Sequence, residues 1–312
     1  MIITVTLNTA IDKLYLVDEL LPFEVGRVRE VVNTAGGKGM NVSRVAALSG
    51  EDVTAMGFAG GYTGQLFRSL IREPNIRPAF TETAGETRSC INVRDKKTNR
   101  STEFLEPGCP VTAQELDAFL ADFRRELPNA DVVTISGSMP AGVPSDFYSG
   151  LVREARALGK PILVDTSGAA LRETIPAGPA LIKPNTDELG QLTGADVSSM
   201  ENCIAAAQQL REAGAGIVAV SLGKDGVLVV SKEGIFRGLT PDVPVVNTVG
   251  CGDSMVAGFA VSLAHKKPLE EAIRFAVAVS TANALTKETG YYRQEDLARL
   301  LPEIRVERVS RA

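Results

Sequence analysis

From residue 112 onward the chain alternates strand-like apolar runs with helix-length amphipathic segments, and this constrains the fold more than any other feature. The spacing predicts a helix over 112–126, a strand over 131–135, a helix over 145–158 and a strand over 161–165. Strand 180–183 leads into a helix that starts after Asn185, and helix 200–213 leads to strand 216–220. Strands separated by helical segments imply a mainly parallel central sheet with helices on both faces, an α/β fold. A β-rich pair at 227–231 and 234–238 reads as a hairpin at the sheet edge. Helices over 252–265 and 268–284 complete the pattern, and the polar tail from residue 303 is expected at the surface or weakly ordered.

The first third keeps the same alternation, with strands over 2–7, 52–57 and 76–81 and a helix over 62–72, but two β-rich excursions interrupt it. One comprises runs at 14–18 and 25–33. The other is a hairpin of 88–94 and 100–105 across the turn Asp95-Lys96-Lys97-Thr98-Asn99. Paired across the sequence, the two would form a small sheet over a site and exclude water from it.

Bulk properties remove several function classes. With 312 residues and 44% hydrophobic content, a substantial core is expected. A formal net charge of −5 argues against a nucleic-acid or anionic-membrane surface. The chain opens directly on a β-type run with no signal-peptide pattern, and no apolar run is long enough to span a bilayer. The four cysteines, Cys90, Cys109, Cys203 and Cys251, show no paired spacing and read as reduced thiols in a cytoplasmic protein. The single histidine, His265, excludes HExxH zinc sites and most histidine-dependent catalysis.

Two glycine-rich stretches carry the chemistry. Asn247-Thr248-Val249-Gly250-Cys251-Gly252-Asp253 follows a β-type run near Pro244-Val245-Val246 and opens an apolar helix. Unpaired N–H groups and the helix dipole can hold an anion there, and Asp253 beside them can act as a base. That pairing suits phosphoryl transfer to a hydroxyl. A plain capped helix with Asp253 in its first turn is the alternative. Ala35-Gly36-Gly37-Lys38-Gly39-Met40-Asn41 is a second close-approach loop at a helix start, without Walker A spacing; a flexible turn with a solvated lysine competes with that reading. Asn8 and Asp12, just past the first strand, are candidates for substrate hydroxyls or members of an Asx turn. Asn185 and Glu188 share one side of a helix start, where they can hold Mg²⁺ through its waters or simply form a capping box.

With both loops placed, the chain resembles the ribokinase-like sugar kinases of the phosphofructokinase B type over nearly its full length. Asn8-x-x-x-Asp12, Gly36-Gly37-Lys38-Gly39-x-Asn41, Asn185-x-x-Glu188, Ser221-x-Gly223-x-x-Gly226 and Gly250-x-Gly252-Asp253 occur in the family's order. The stretches around Asn8–Asp12 and Gly36–Arg44 look most like 1-phosphofructokinases and tagatose-6-phosphate kinases.

The resemblance implies a single kinase domain over 1–312, with lid segments at about 12–34 and 86–107. It implies ATP and Mg²⁺ as cofactors, a sugar phosphate as substrate, and a homodimer paired through the lid. Asp253 would be the catalytic base, with the N–H groups of Gly250, Cys251 and Gly252 as the anion hole. Asn8, Asp12, Gly37, Lys38 and Asn41 would bind the sugar, while Arg27, Lys38, Arg88 and Ser138 would face its phosphate. Lys183, Asn185, Ser221, Gly223, Gly226 and Thr248 would line the nucleotide, with Asn283 near the adenine, and Asn185 and Glu188 would organise Mg²⁺. Phosphorylation of fructose 1-phosphate to fructose 1,6-bisphosphate is the expected reaction. Tagatose-6-phosphate kinase and a non-catalytic sugar-phosphate sensor are the alternatives. Cys251 departs from the family's usual alanine, and a thiol at a helix N-terminus is expected to be acidified and reactive. Cys109, within Pro107-Gly108-Cys109-Pro110, implies only a local loop change.

Overall fold

The computed structural model describes residues 1–309; the last three residues of the polar tail lie outside the described residues. The chain begins with β1 (Ile2–Thr6), β2 (Ala10–Val17), β3 (Glu30–Gly36), α1 (Lys38–Leu48), β4 (Val53–Gly60), α2 (Gly61–Ser69) and β5 (Ile76–Thr83). It continues through β6 (Arg88–Asp95), β7 (Arg100–Leu105), α3 (Ala113–Glu126), β8 (Val132–Ser136), α4 (Phe147–Ala157), β9 (Ile162–Asp165), α5 (Gly168–Thr174) and β10 (Leu181–Ile182). The remaining elements are α6 (Thr186–Thr193), α7 (Met200–Glu212), β11 (Ile217–Ser221), β12 (Val227–Ser231), β13 (Gly234–Leu239), α8 (Cys251–Ala264), α9 (Leu269–Ala284), α10 (Gln294–Leu300) and β14 (Arg305–Arg308).

A ten-stranded sheet has the order β14-β13-β12-β11-β10-β9-β8-β1-β4-β5. Strands from β5 through β11 in that order run parallel, and β12, β13 and β14 are antiparallel. Both faces are covered, which is why the central strands read as continuous apolar runs. Period-two alternation divides their side chains between two cores. Ile2, Val132 and Leu163 face one core with α1, α8 and α9; Ile3, Val133 and Val164 face the other with α3, α4 and α7. Helix α8 is buried from Asp253 to Ser262 and shows almost no polar face, as expected of a helix enclosed by α1, α9 and the sheet. A Phe259→Ala cavity there would cost about 3–5 kcal/mol. Helix α3 starts where a capping box of Thr112 and Glu115 satisfies its first amides.

The two β excursions do pair, into a four-stranded sheet of order β3-β2-β6-β7. Each hairpin is antiparallel, and β2 and β6 join them in parallel. Asp12 lies within β2, not in a turn after β1, because the chain enters the lid at Ala10.

Other expectations change. Residues 244–246 are not a strand: Pro244 has no N–H, and the Val246 amide donates instead to the Ala284 carbonyl at the end of α9. The hairpin β12–β13 is not the sheet edge, because β14, within the tail expected at the surface or weakly ordered, pairs with β13 and lies at the surface. Among the described residues no helix is long and apolar enough to cross a membrane.

Candidate active site

Both glycine loops lie with the C-terminal ends of β1, β9, β10 and β11, where open α/β sheets bind ligands. Gly250 caps α8 with φ +83°, and a Cβ there would meet the Gly290 amide at 2.8 Å. Only glycine fits this left-handed, backed-up position. The Cys251 N–H donates to the Thr248 carbonyl at 3.3 Å, while the amides of Gly252 and Asp253 have no backbone acceptor preceding the helix among the described residues. The first turn of α8 therefore presents open donors at the positive end of the helix.

Asp253 is 7% exposed. Its Oδ2 accepts from Asn41 Nδ2 at 2.8 Å, across the junction between α8 and α1. Burial and the nearby Asp165 carboxylate push its pKa up to about 6, against the opposing pull of Asn41, Lys38 and Lys183. A carboxyl in that range is ionised at neutral pH and still able to take a proton. Lys38, the first residue of α1, has its pKa raised by Asp165, with Asp253 and Glu188 adding to the effect against burial. It therefore stays cationic among those carboxylates.

Cys251 behaves opposite to the sequence expectation. Burial raises its thiol pKa, with Asp253 adding to the rise and only Asn283 opposing it. Loss of solvent, with the neighbouring carboxylate adding to it, disfavours the thiolate here.

On the sugar side, Gly37 caps α1 with φ +102°, and a Cβ there would meet Thr6 Cγ2 at 2.8 Å. The loop is thus pressed against β1. Asp12 lies against Gly36, and burial raises its carboxyl to about 6, opposed by Arg44, Arg88 and the Gly37 amide. Asn8 Nδ2 donates to Ser138 Oγ and to the Pro107 carbonyl, both at 3.2 Å. Arg88 donates to the Glu106 carbonyl (2.8 Å) and the Asn8 carbonyl (3.1 Å), which fixes it at the lid's root. Asp12, Gly37, Lys38, Asn41, Asn8, Ser138 and Arg88 thus gather around the ends of β1, α1 and β6. Arg27 does not join them: it lies in the exposed loop between β2 and β3 and makes no hydrogen bond or ion pair among the described residues.

On the other side, Lys183 follows β10 and is buried, with Nζ 3.4 Å from Asp165 Oδ1. A Cβ on Gly252 would meet Lys183 Nζ at 3.2 Å, so the ammonium lies directly under the open turn of α8. Asn185 and Glu188 form both hydrogen bonds of a capping box on α6, so the cap is real, and Glu188 also faces Lys38. Ser221 bridges to Asn185, and Gly223 and Gly226 form the turn between β11 and β12. Thr248 is exposed beside the α8 turn. Asn283 is fully buried: Nδ2 donates to the Val249 carbonyl, and Oδ1 accepts from the Tyr291 amide. It braces the loop from within and does not line an open nucleotide surface.

Sequence reasoning missed Asp165. It ends β9, and both carboxylate oxygens are buried without a hydrogen-bond partner. The strand-end rule that singled out Asn8 applies equally to Asp165.

Comparisons with known proteins identify the family. The model of the pfkB family carbohydrate kinases matches residues 5–295. The chain is 36% identical over 309 residues to the 1-phosphofructokinase of Bacillus subtilis, covering 99% of this chain and all of that protein. The structure of Escherichia coli phosphofructokinase-2 in complex with fructose-6-phosphate superposes with a TM-score of 0.88 at 30% identity, covering 97% of this chain and 98% of that one. Arabidopsis thaliana ribokinase, complexed with ribose and ATP, shares the fold with a TM-score of 0.77 at 20% identity over 96% of this chain and 98% of that one. The chain belongs to the pfkB family of carbohydrate kinases, a phosphotransferase with an alcohol group as acceptor.

Proposed function

We propose that this kinase transfers the γ-phosphoryl group of ATP to the C6 hydroxyl of fructose 1-phosphate, in the cytoplasm. One observation carries the reading: a buried carboxylate, Asp253, is held on one oxygen by Asn41 beside open helix N-terminal amides, with two lysines adjacent. The sugar hydroxyl would give its proton to Asp253 as it attacks. The amides of Gly252 and Asp253, with Gly250 shaping the turn, would take the charge on the transferring group, and Lys183 beneath them would add to it. Backbone donors do this work, so Cys251 in place of alanine is compatible with it.

Asp12, Asn8 and Asn41 would orient the sugar. Lys38, Arg88 and Ser138 would meet its existing phosphate, and Arg27 would join them only if the loop that carries it moves. Lys183, Asn185, Ser221, Gly223, Gly226 and Thr248 would line the nucleotide. Segments 12–34 and 86–107 would act as a lid within a single kinase domain.

The residues fit Mg²⁺. The oxygens of Asp165, which accept no hydrogen bond, and the partly exposed Glu188 are hard donors suited to a hydrated Mg²⁺, with Asn185 as a further candidate through water. When bound, the ion would supply positive charge to the nucleotide phosphates. Lys183 Nζ already partners Asp165, so that carboxylate is held in place by the protein itself.

The test is ADP formation with Mg·ATP against fructose 1-phosphate, fructose 6-phosphate, tagatose 6-phosphate, fructose, ribose and adenosine, compared by kcat/KM. Highest kcat/KM on fructose 1-phosphate is expected. Preference for tagatose 6-phosphate would move the substrate and keep the mechanism. Preference for an unphosphorylated sugar would overturn the phosphate assignment of Lys38 and Arg88.

A further inference from the structure

One buried cation next to the site has no part in the proposed reaction. Arg44 lies in α1 one turn beyond Asn41, and its side chain is only 13% exposed. Its guanidinium serves segments far apart in sequence. Nη1 donates to Asn41 Oδ1 (3.1 Å) and to the Thr289 carbonyl (2.8 Å), and Nη2 donates to the Ala35 carbonyl (2.6 Å). Nε faces Glu73 at 3.4 Å. Ala35 lies in β3 at the root of the lid. Thr289 belongs to the loop whose Gly290 packs against both Gly250 and Asn41.

We propose that Arg44 is a positioning residue, which fixes the orientation of the Asn41 amide against Asp253 and ties the lid root to the loop behind the α8 turn. The argument is one of donors and acceptors. An Asn side chain offers an acceptor at one end and donors at the other. Arg44 can only donate, so it holds the Asn41 oxygen and turns the NH₂ group toward the Asp253 carboxylate. With the amide reversed, oxygen would face carboxylate and two donors would face guanidinium. The guanidinium is itself held by Ala35, Thr289 and Glu73, so the orientation is over-determined. Lysine offers one point charge in place of a planar fork and cannot meet these acceptors together. The inference rests on the reading of Asp253 as the base.

Arg44→Lys keeps the charge opposite Glu73 and is the informative variant. Its kcat on the preferred sugar phosphate is expected to fall about 10- to 100-fold, with KM for Mg·ATP within about threefold of the parent. In an Asn41→Ala background the same substitution is expected to change kcat by less than about threefold, because the two residues act in series. The side-chain amide resonance of Asn41, identified by its loss in Asn41→Ala, is expected to move to the free-amide position and exchange faster in Arg44→Lys. Unchanged kcat, a loss of Tm alone with normal turnover per folded molecule, or an unmoved amide resonance would overturn the proposal. Should the parent protein turn over no sugar, the base assignment fails, yet the amide resonance still decides whether Arg44 orients Asn41.

Discussion

Asp253 and Asp12 show how one physical cause, loss of solvent, can serve two purposes at single residues. For Asp253 the raised pKa sets an acid limit on turnover. The base must be ionised, so kcat is expected to fall as pH drops through about 6, tenfold per pH unit well below it. A kcat that stays flat to pH 5 would remove Asp253 from that role. Asp253→Asn is expected to lower kcat by at least ~10²-fold, the low end of general-base contributions, while leaving ATP affinity near normal; that is readable by steady-state kinetics and calorimetry. For Asp12 the same shift is a stability statement. Between the ordinary value of 3.8 and about 6 the folded chain holds a proton that the unfolded chain has released, so this carboxyl makes stability fall as pH rises through that window. Asp12→Asn is expected to raise Tm at pH 8 and flatten its dependence between pH 4 and 6, while weakening sugar binding. A lower Tm at pH 8 would contradict the desolvation argument. The sequence showed Asp253 through its neighbouring glycines and Asp12 through its place just past the first strand. Arg44 gave no such local signal, since its importance comes from partners such as Thr289 that only folding brings close; Asp165 stands at a strand end, but its pairing with Lys183 also arises only on folding.

At the scale of elements, legibility followed length and flanking chemistry. The parallel strands and the long helices were readable because both periodicities persist over whole segments, and the Asn185/Glu188 cap because its two partners are three residues apart. Helices α5 and α10 were not anticipated: each spans seven residues, too short for an apolar stripe to repeat. The run at 244–246 looked like a strand from its valines, but its hydrogen bonds go to the end of α9. The cap gives a clean test of a double role. Asn185→Ala is expected to cost about 1 kcal/mol in denaturant unfolding through the lost cap alone. If Asn185 also serves Mg²⁺, the Mg²⁺ concentration for half-maximal activity rises as well; an unchanged requirement would confine Asn185 to capping.

For the whole molecule, the lid is the surface that the fold leaves unfinished. Phe23, Val25, Val31, Phe104 and Leu105 are exposed on it or on its connecting loop. A second copy paired through the lid would cover them, consistent with the expectation of a homodimer. Phe104→Asp is expected to shift the protein from dimer to monomer by sedimentation at micromolar concentration; a parent protein that is monomeric under those conditions would refute the pairing. Among the described residues the main sheet has no comparable opening. Its β14 border consists of Arg305, Val306, Glu307 and Arg308, and its β5 border carries Arg77, Pro78 and Glu82. Charges and proline on outer strands discourage edge-to-edge joining with a neighbouring chain. The final strand is therefore a safeguard against aggregation. Without it, the apolar Ile235 and Phe236 of β13 would lie on an open border, and a chain shortened by that strand would be expected to precipitate at concentrations the intact protein tolerates.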